Sequence, residues 1–267
     1  MADQPLALIN AEQQTALTKP DPDNPHWGLI GGVCMWLLSF SLPQVVPVPY
    51  LLVARQLGRL VIPTPEDLST GNLDVRFIIA SLISTLVIHI IMIAACWAVV
   101  TQFGRLPFFD TLGWHWAGIN VWNRVWLVTG IMGTVFLINI FLPNFLPDTQ
   151  TTPFAHILRA STTAKYLVAG IAVLTAPFIE ELIYRGMLYS GLRSRLPESV
   201  SILLVSLVFV VVHMQQYWGA WSSLIGLTTL SFFMTLIRAR TKSLLPCVII
   251  HQVNNIVAGL LILVGVE

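Results

Sequence analysis

Four residues in the second half of the chain have side chains suited to splitting an amide bond with water: Glu180, His213, His251 and Asn255. A carboxylate beside a neutral imidazole can hold a water and take its proton, making the water a nucleophile toward a peptide carbonyl. Glu180 with His213 has that chemistry. The tetrahedral intermediate then carries negative charge on the former carbonyl oxygen and needs preorganised donors. An imidazole N–H from His251 and an amide N–H from Asn255, one helical turn apart, would supply them. Glu181 has a different neighbour, Arg185, four positions on and on the same helix face, where an ion pair neutralises both charges. Glu180 lies about 100° round that helix and lacks this partner.

No serine, cysteine or aspartate nucleophile has comparable company. Ser190 and Ser206 have no evident base beside them, and GxSxG is absent. Zinc is the chemical rival, because Glu180, His213 and His251 form a workable ligand set. Against it, no HExxH helix occurs, and an asparagine amide is an uncommon zinc ligand. The expectation is a site without a cofactor, with zinc as the alternative.

These residues sit in segments that lipid would otherwise claim. Hydrophobic residues make up 55% of the chain and charged ones only 10%, against about 25% charged in an ordinary soluble domain. A soluble fold of this size could not hide that much apolar surface. Stretches of about 20 apolar residues, the length that crosses a bilayer core, fall at about 29–53, 77–100, 125–146, 166–192, 200–212, 218–237 and 244–264. The fifth is short and extends through Tyr217 if it is to cross. Pro43, Pro47 and Pro49 predict a kink or break in the first. The fold class is therefore all-α, a polytopic transmembrane bundle of about seven helices, within a range of six to eight.

Three regions organise the chain: a polar N-terminal segment 1–28, N-terminal transmembrane helices with an interfacial segment over 29–157, and a catalytic transmembrane core over 158–267. The polar start lacks the pattern of a cleaved signal peptide. The longer connections are 54–76 and 101–124, and the second contains Trp114, Trp116 and Trp122, spaced like a segment in the headgroup layer. Lys19, Arg105, Arg124, Arg193, Arg195, Arg238, Arg240 and Lys242 collect on one side, and Arg55, Arg59, Arg76, Arg159 and Lys165 on the other. The excess of positive charge inside then places the N-terminus in the cytoplasm, and the expected location is a bacterial cytoplasmic membrane. Cys34, Cys96 and Cys247 have no CxxC spacing and read as packing residues. No basic patch interleaved with aromatics suggests nucleic acid.

An ionisable residue inside a membrane is a functional hypothesis by default. Taken singly, each still has a bland account: a lone membrane histidine often packs, as His89 is expected to, and Asn255 could merely bridge helices. Depth argues otherwise. Counted inward at about 1.5 Å per residue, Glu180 lies about 16 Å deep, His213 about 20 Å, His251 about 11 Å and Asn255 about 17 Å. Isolated polar groups at that depth would each carry a desolvation cost, and a shared polar cavity removes it.

The motifs taken in order are Glu180-Glu181 with Arg185 as EExxxR, Phe209 with His213 as FxxxH, and His251 with Asn255 as HxxxN. On successive hydrophobic segments this set resembles the CPBP family of intramembrane proteases, which includes type II CAAX prenyl endopeptidases and bacterial Abi-type proteins. The resemblance covers about residues 158–255. It implies glutamate-dependent peptide hydrolysis, with Glu180 as base beside His213, His251 and Asn255 at the oxyanion, and Glu181, Arg185 and Phe209 in support. It also implies a membrane-associated peptide or protein substrate, farnesylated CAAX being one possibility and a bacteriocin-related or other membrane peptide another. Two further readings stay open: a non-catalytic immunity or scaffold protein with the same fold, and a transporter using the polar layer as a relay. The lack of an internal repeat weighs against the second.

Overall fold

A computed structural model describes residues 20–58, 63–64, 67, 73–146 and 152–265. Lys19 and Arg59, which entered the charge count above, lie outside the described residues, as do most of 1–28 and much of 54–76. Among the described residues there is no strand. The helices are α1 (Gly28–Val45), α2 (Val48–Gln56), α3 (Val75–Thr101), α4 (Phe108–Leu112), α5 (Val121–Phe141), α6 (Pro153–Ala160) and α7 (Thr162–Leu174). They are followed by α8 (Ala176–Glu181), α9 (Tyr189–Arg193), α10 (Glu198–Tyr217), α11 (Trp221–Thr241) and α12 (Leu245–Val264). Six spans are long and apolar enough to cross a membrane, and seven if the bent pair formed by α7 with Ala176–Arg193 counts as one.

Local chemistry explains the boundaries. Asp74, Asn120, Thr152 and Ser161 each accept a backbone N–H at the start of α3, α5, α6 and α7, which satisfies a donor the helix leaves orphaned. The first span breaks between Val45 and Val48, beside Pro47, because proline has no N–H and crowds the preceding turn. The expected fourth span, 166–192, is not one straight helix. It bends by 44° between α7 and Ala176–Arg193, and residues Leu182–Leu188 form a π-helical turn between α8 and α9. Such wide turns inside helices occur frequently at functional sites.

This bent helix is the centre of the bundle. Every residue of Leu182–Leu188 is buried, and Ala176–Arg193 packs against α1, α3, α10 and α12. Contact with α1 is backbone to backbone: a Cβ on Gly32 would lie 2.7 Å from the Met187 carbonyl, and one on Gly191 would lie 2.6 Å from the Gly28 carbonyl. Only glycine permits that approach. The main core joins Met92, Leu182, Met187, Tyr189, Val205 and Phe209 across these helices. At the far end, the buried Arg238 on α11 donates to Ser190 Oγ at 2.8 Å, to the Pro22 carbonyl at 2.8 Å and to Asp23 Oδ1 at 3.0 Å. The polar residues before α1 are thereby fastened to the helix that carries the two glutamates.

The connection 101–124 contains the short helix α4. Trp114 turns inward onto Phe178 with ring centroids 6.2 Å apart, Trp116 lies under the Arg124 guanidinium at 5.0 Å, and Trp122 is exposed. Trp114 thus packs against the core, and of the three tryptophans only Trp122 is exposed.

Candidate active site

Glu181 and Arg185 form the expected pair. Arg185 Nη1 donates to Glu181 Oε1 at 2.9 Å, with both side chains fully buried. Burying an ion pair is costly unless its remaining polar atoms are satisfied; α11 supplies partners for the guanidinium, while Glu181 Oε2 has no hydrogen-bond partner among the described residues. Arg185 Nε donates to Thr235 Oγ1 at 3.1 Å, and Nη2 donates to the Ser231 carbonyl at 3.0 Å and to Ser231 Oγ at 2.7 Å. The Phe209 ring covers the guanidinium at 4.6 Å, a cation–π contact strengthened by exclusion of water. Phe209 also touches the His213 ring at 4.7 Å and the His251 ring at 6.0 Å.

Glu181 has a second partner that the spacing of its motif does not reveal. His251 Nδ1 lies 2.8 Å from the same Oε1 that receives Arg185. An ionised carboxylate only accepts, so Nδ1 carries the proton and, in the neutral ring, Nε2 is left as the acceptor. His213 is oriented the same way by another route. Its Nδ1 is 2.7 Å from the Phe209 carbonyl, which also only accepts.

Both histidines turn Nε2 toward one oxygen. Glu180 Oε2 is 3.9 Å from His213 Nε2 and 3.7 Å from His251 Nε2. These separations exceed a direct hydrogen bond and suit a group bridged between the three atoms. Glu180 is the more accessible of the two glutamates, its side chain 25% exposed against 0% for Glu181. Of the residues named from sequence, Glu180, Glu181, Arg185, Phe209, His213 and His251 thus form one contiguous cluster.

Asn255 is placed at the helix bend. Its Nδ2 donates to the Ala172 carbonyl at 2.9 Å, and its Oδ1 accepts from Asn254 Nδ2 at 3.1 Å. The second N–H on Nδ2 is not used in those bonds. His89, expected as a packing residue, hydrogen-bonds through Nδ1 to Thr175 Oγ1 at 2.8 Å. Ser231, Thr235, Thr175 and Gln252 were not singled out from sequence. Hydroxyls and amides in apolar helices look generic until the fold gives them partners.

Among the described residues, no group of three or more histidine, cysteine, aspartate or glutamate side chains has the spacing to hold a metal ion. The zinc set of Glu180, His213 and His251 is close by type, and its two rings have Nε2 turned inward as ligands would.

Fold and site together define a class: an all-α, multi-pass integral membrane protein with a buried glutamate–histidine centre. Residues 162–257 match the family model described as type II CAAX prenyl endopeptidase Rce1-like. That segment contains every motif residue of the site, and it carries the similarity to the CAAX-protease family that the three motifs indicate. No curated protein and no solved structure shows significant similarity to the chain.

Proposed function

We propose that the chain is an intramembrane endopeptidase in which Glu180 and His213 activate a water. The observation that carries this reading is the convergence of two imidazole Nε2 atoms on one Glu180 oxygen, at 3.7 and 3.9 Å, with each Nδ1 committed elsewhere. A water between Glu180 Oε2 and His213 Nε2 hydrogen-bonds to both. As its oxygen bonds to the scissile carbonyl carbon, its proton passes to Glu180. Collapse of the tetrahedral intermediate breaks the C–N bond, and the same proton goes to the leaving amine. The products are a carboxylic acid and an amine, and Glu180 is returned as carboxylate.

The developing oxyanion is met by His251 and Asn255. Because Nδ1–H is held by Glu181, His251 donates through Nε2 only as the doubly protonated ring, so its donor role and its second proton are one requirement. Asn255 contributes the N–H that Ala172 does not take. Glu181 and Arg185 hold His251 in place from behind, and Phe209 packs between the ion pair and both rings.

The substrate is a peptide or protein presented within the membrane. A prenylated CAAX terminus, the substrate class in the matching family's name, is one member of that class, and the N-terminal side of α1 faces the cytoplasm. The decisive comparison is proteomics of membrane peptides from cells with the wild type or with Glu180→Gln, after membrane insertion of both is verified. Peptides cleaved only with the wild type support the reading and identify the substrate. Identical peptide profiles would favour a non-catalytic immunity or scaffold role. The inward Nε2 atoms also suit a zinc-dependent version of the same hydrolysis, for which chelation is the control.

A further inference from the structure

The 44° bend between α7 and Ala176–Arg193 frees backbone carbonyls that a continuous helix would satisfy. Pro177 has no N–H to give to Val173, four residues earlier. Such groups cannot be left bare in the interior of a membrane protein, and here the two successive carbonyls of Ala172 and Val173 are taken up by side chains, while the Ile171 carbonyl before them keeps the Thr175 N–H at 3.1 Å. Thr175 Oγ1 donates to the Ile171 carbonyl at 3.2 Å, Asn255 Nδ2 donates to Ala172 at 2.9 Å, and Gln252 Nε2 donates to Val173. Thr175 is held in turn by His89 from α3. Its one hydroxyl proton is directed at Ile171, so His89 Nδ1 is the donor in the 2.8 Å contact to Thr175 Oγ1. The bend is therefore gripped from two sides, by α3 through His89 and by α12 through Gln252 and Asn255.

We propose that His89 and Gln252 are positioning residues that aim Glu180 at its two histidines by fixing this bend. The inference rests on the reading of Glu180 as the catalytic base. The helix α8 is six residues long and starts at the bend, so its direction there sets where Glu180 points. Glu180 follows Thr175 by five residues, about 7.5 Å along the axis, and a swing of about 10° would move it by about 1.3 Å. A displacement near 1 Å is enough to cost about 100-fold in a reaction that depends on alignment. Neither residue belongs to the three motifs. Gln252 acts on a backbone carbonyl and His89 on the Thr175 hydroxyl, and at both contacts the position of a donor is what matters.

That dependence makes the proposal testable with near-isosteres. Asparagine at position 89 keeps an N–H where Nδ1 stands, glutamine moves it to where Nε2 stands, and leucine removes it. In purified protein, His89→Leu and His89→Gln are expected to lower kcat by about 10-fold to 100-fold with KM unchanged. His89→Asn should restore kcat to near the wild-type value. Gln252→Leu, acting from a different helix, should reproduce the kcat loss. Each variant is followed by thermal unfolding in detergent, and the proposal requires that the kcat losses occur without a matching loss of midpoint. A flat His89 series, failure of asparagine to rescue, or losses of kcat that track the midpoint would each overturn it. Glu180→Gln separates the two levels: if it is inactive while the His89 and Gln252 variants are normal, only the positioning role falls. If it cleaves like the wild type, the catalytic reading falls and takes the positioning role with it.

Discussion

His251 donates its Nδ1–H to Glu181 at 2.8 Å, which makes the second glutamate of the adjacent pair a partner of the histidine. Glu180 and Glu181 are neighbours in sequence and opposite in duty. One faces accessible space and the two Nε2 atoms, and the other is sealed between a guanidinium and an imidazole.

This division predicts different outcomes for the same substitution at the two positions. Glu180→Gln is expected to abolish turnover and leave the unfolding midpoint unchanged, since its contacts to the histidines are too long to be direct hydrogen bonds. Glu181→Gln removes the counter-charge of a fully buried Arg185 and should destabilise the protein by about 3 kcal/mol. Paired activity and unfolding measurements on the two variants check this, and equal midpoints would contradict the division.

The ion pair predicts strong coupling. Arg185→Met alone leaves Glu181 buried without its guanidinium, whereas Arg185→Met with Glu181→Gln leaves no bare charge. The double variant should therefore lose less stability than the sum of the two single losses. Unfolding midpoints of the four proteins complete the cycle, and simple additivity would mean that the pair contributes nothing as a pair.

Asn255→Ala should lower kcat by about 100-fold with KM changed less than about threefold, as expected for a donor that acts mainly in the transition state. It also removes the donor to Ala172, so a modest fall in the unfolding midpoint accompanies the kinetic loss. An unchanged kcat would eliminate the oxyanion role and leave Asn255 as a support of the bend alone.

Activity of purified protein should survive prolonged incubation with a strong chelator, and added zinc should give no stimulation. Loss on chelation with recovery on zinc would transfer Glu180, His213 and His251 to the role of ligands.

Much of this site is legible in sequence, and what is hidden has a common cause. EExxxR places Glu181 and Arg185 one turn apart by helix geometry alone, and the pair occurs as the spacing requires. The contact between Glu181 and His251 joins residues 70 apart, which no local period encodes. Ser231 and Thr235 are unremarkable hydroxyls until Arg185 is seen between them. Pro177 does mark the bend. A reading from apolar periodicity nevertheless runs a single span over 166–192, because the donor missing at Val173 is replaced by Gln252 from another helix. The bundle class follows from composition and run length. The short helix α6, lying in a connection, carries too few residues for that signal.

The glycine contact between α1 and Ala176–Arg193 bears on how the protein is made. The first span leaves the ribosome long before the helix that fits against Gly32, and synthesis runs from the N-terminus. During that interval its glycine face has no partner of matching shape. α1 therefore has to wait in the bilayer until Gly191 arrives, and the site closes later still, because the helices that carry His213 and His251 follow Gly191 in the chain.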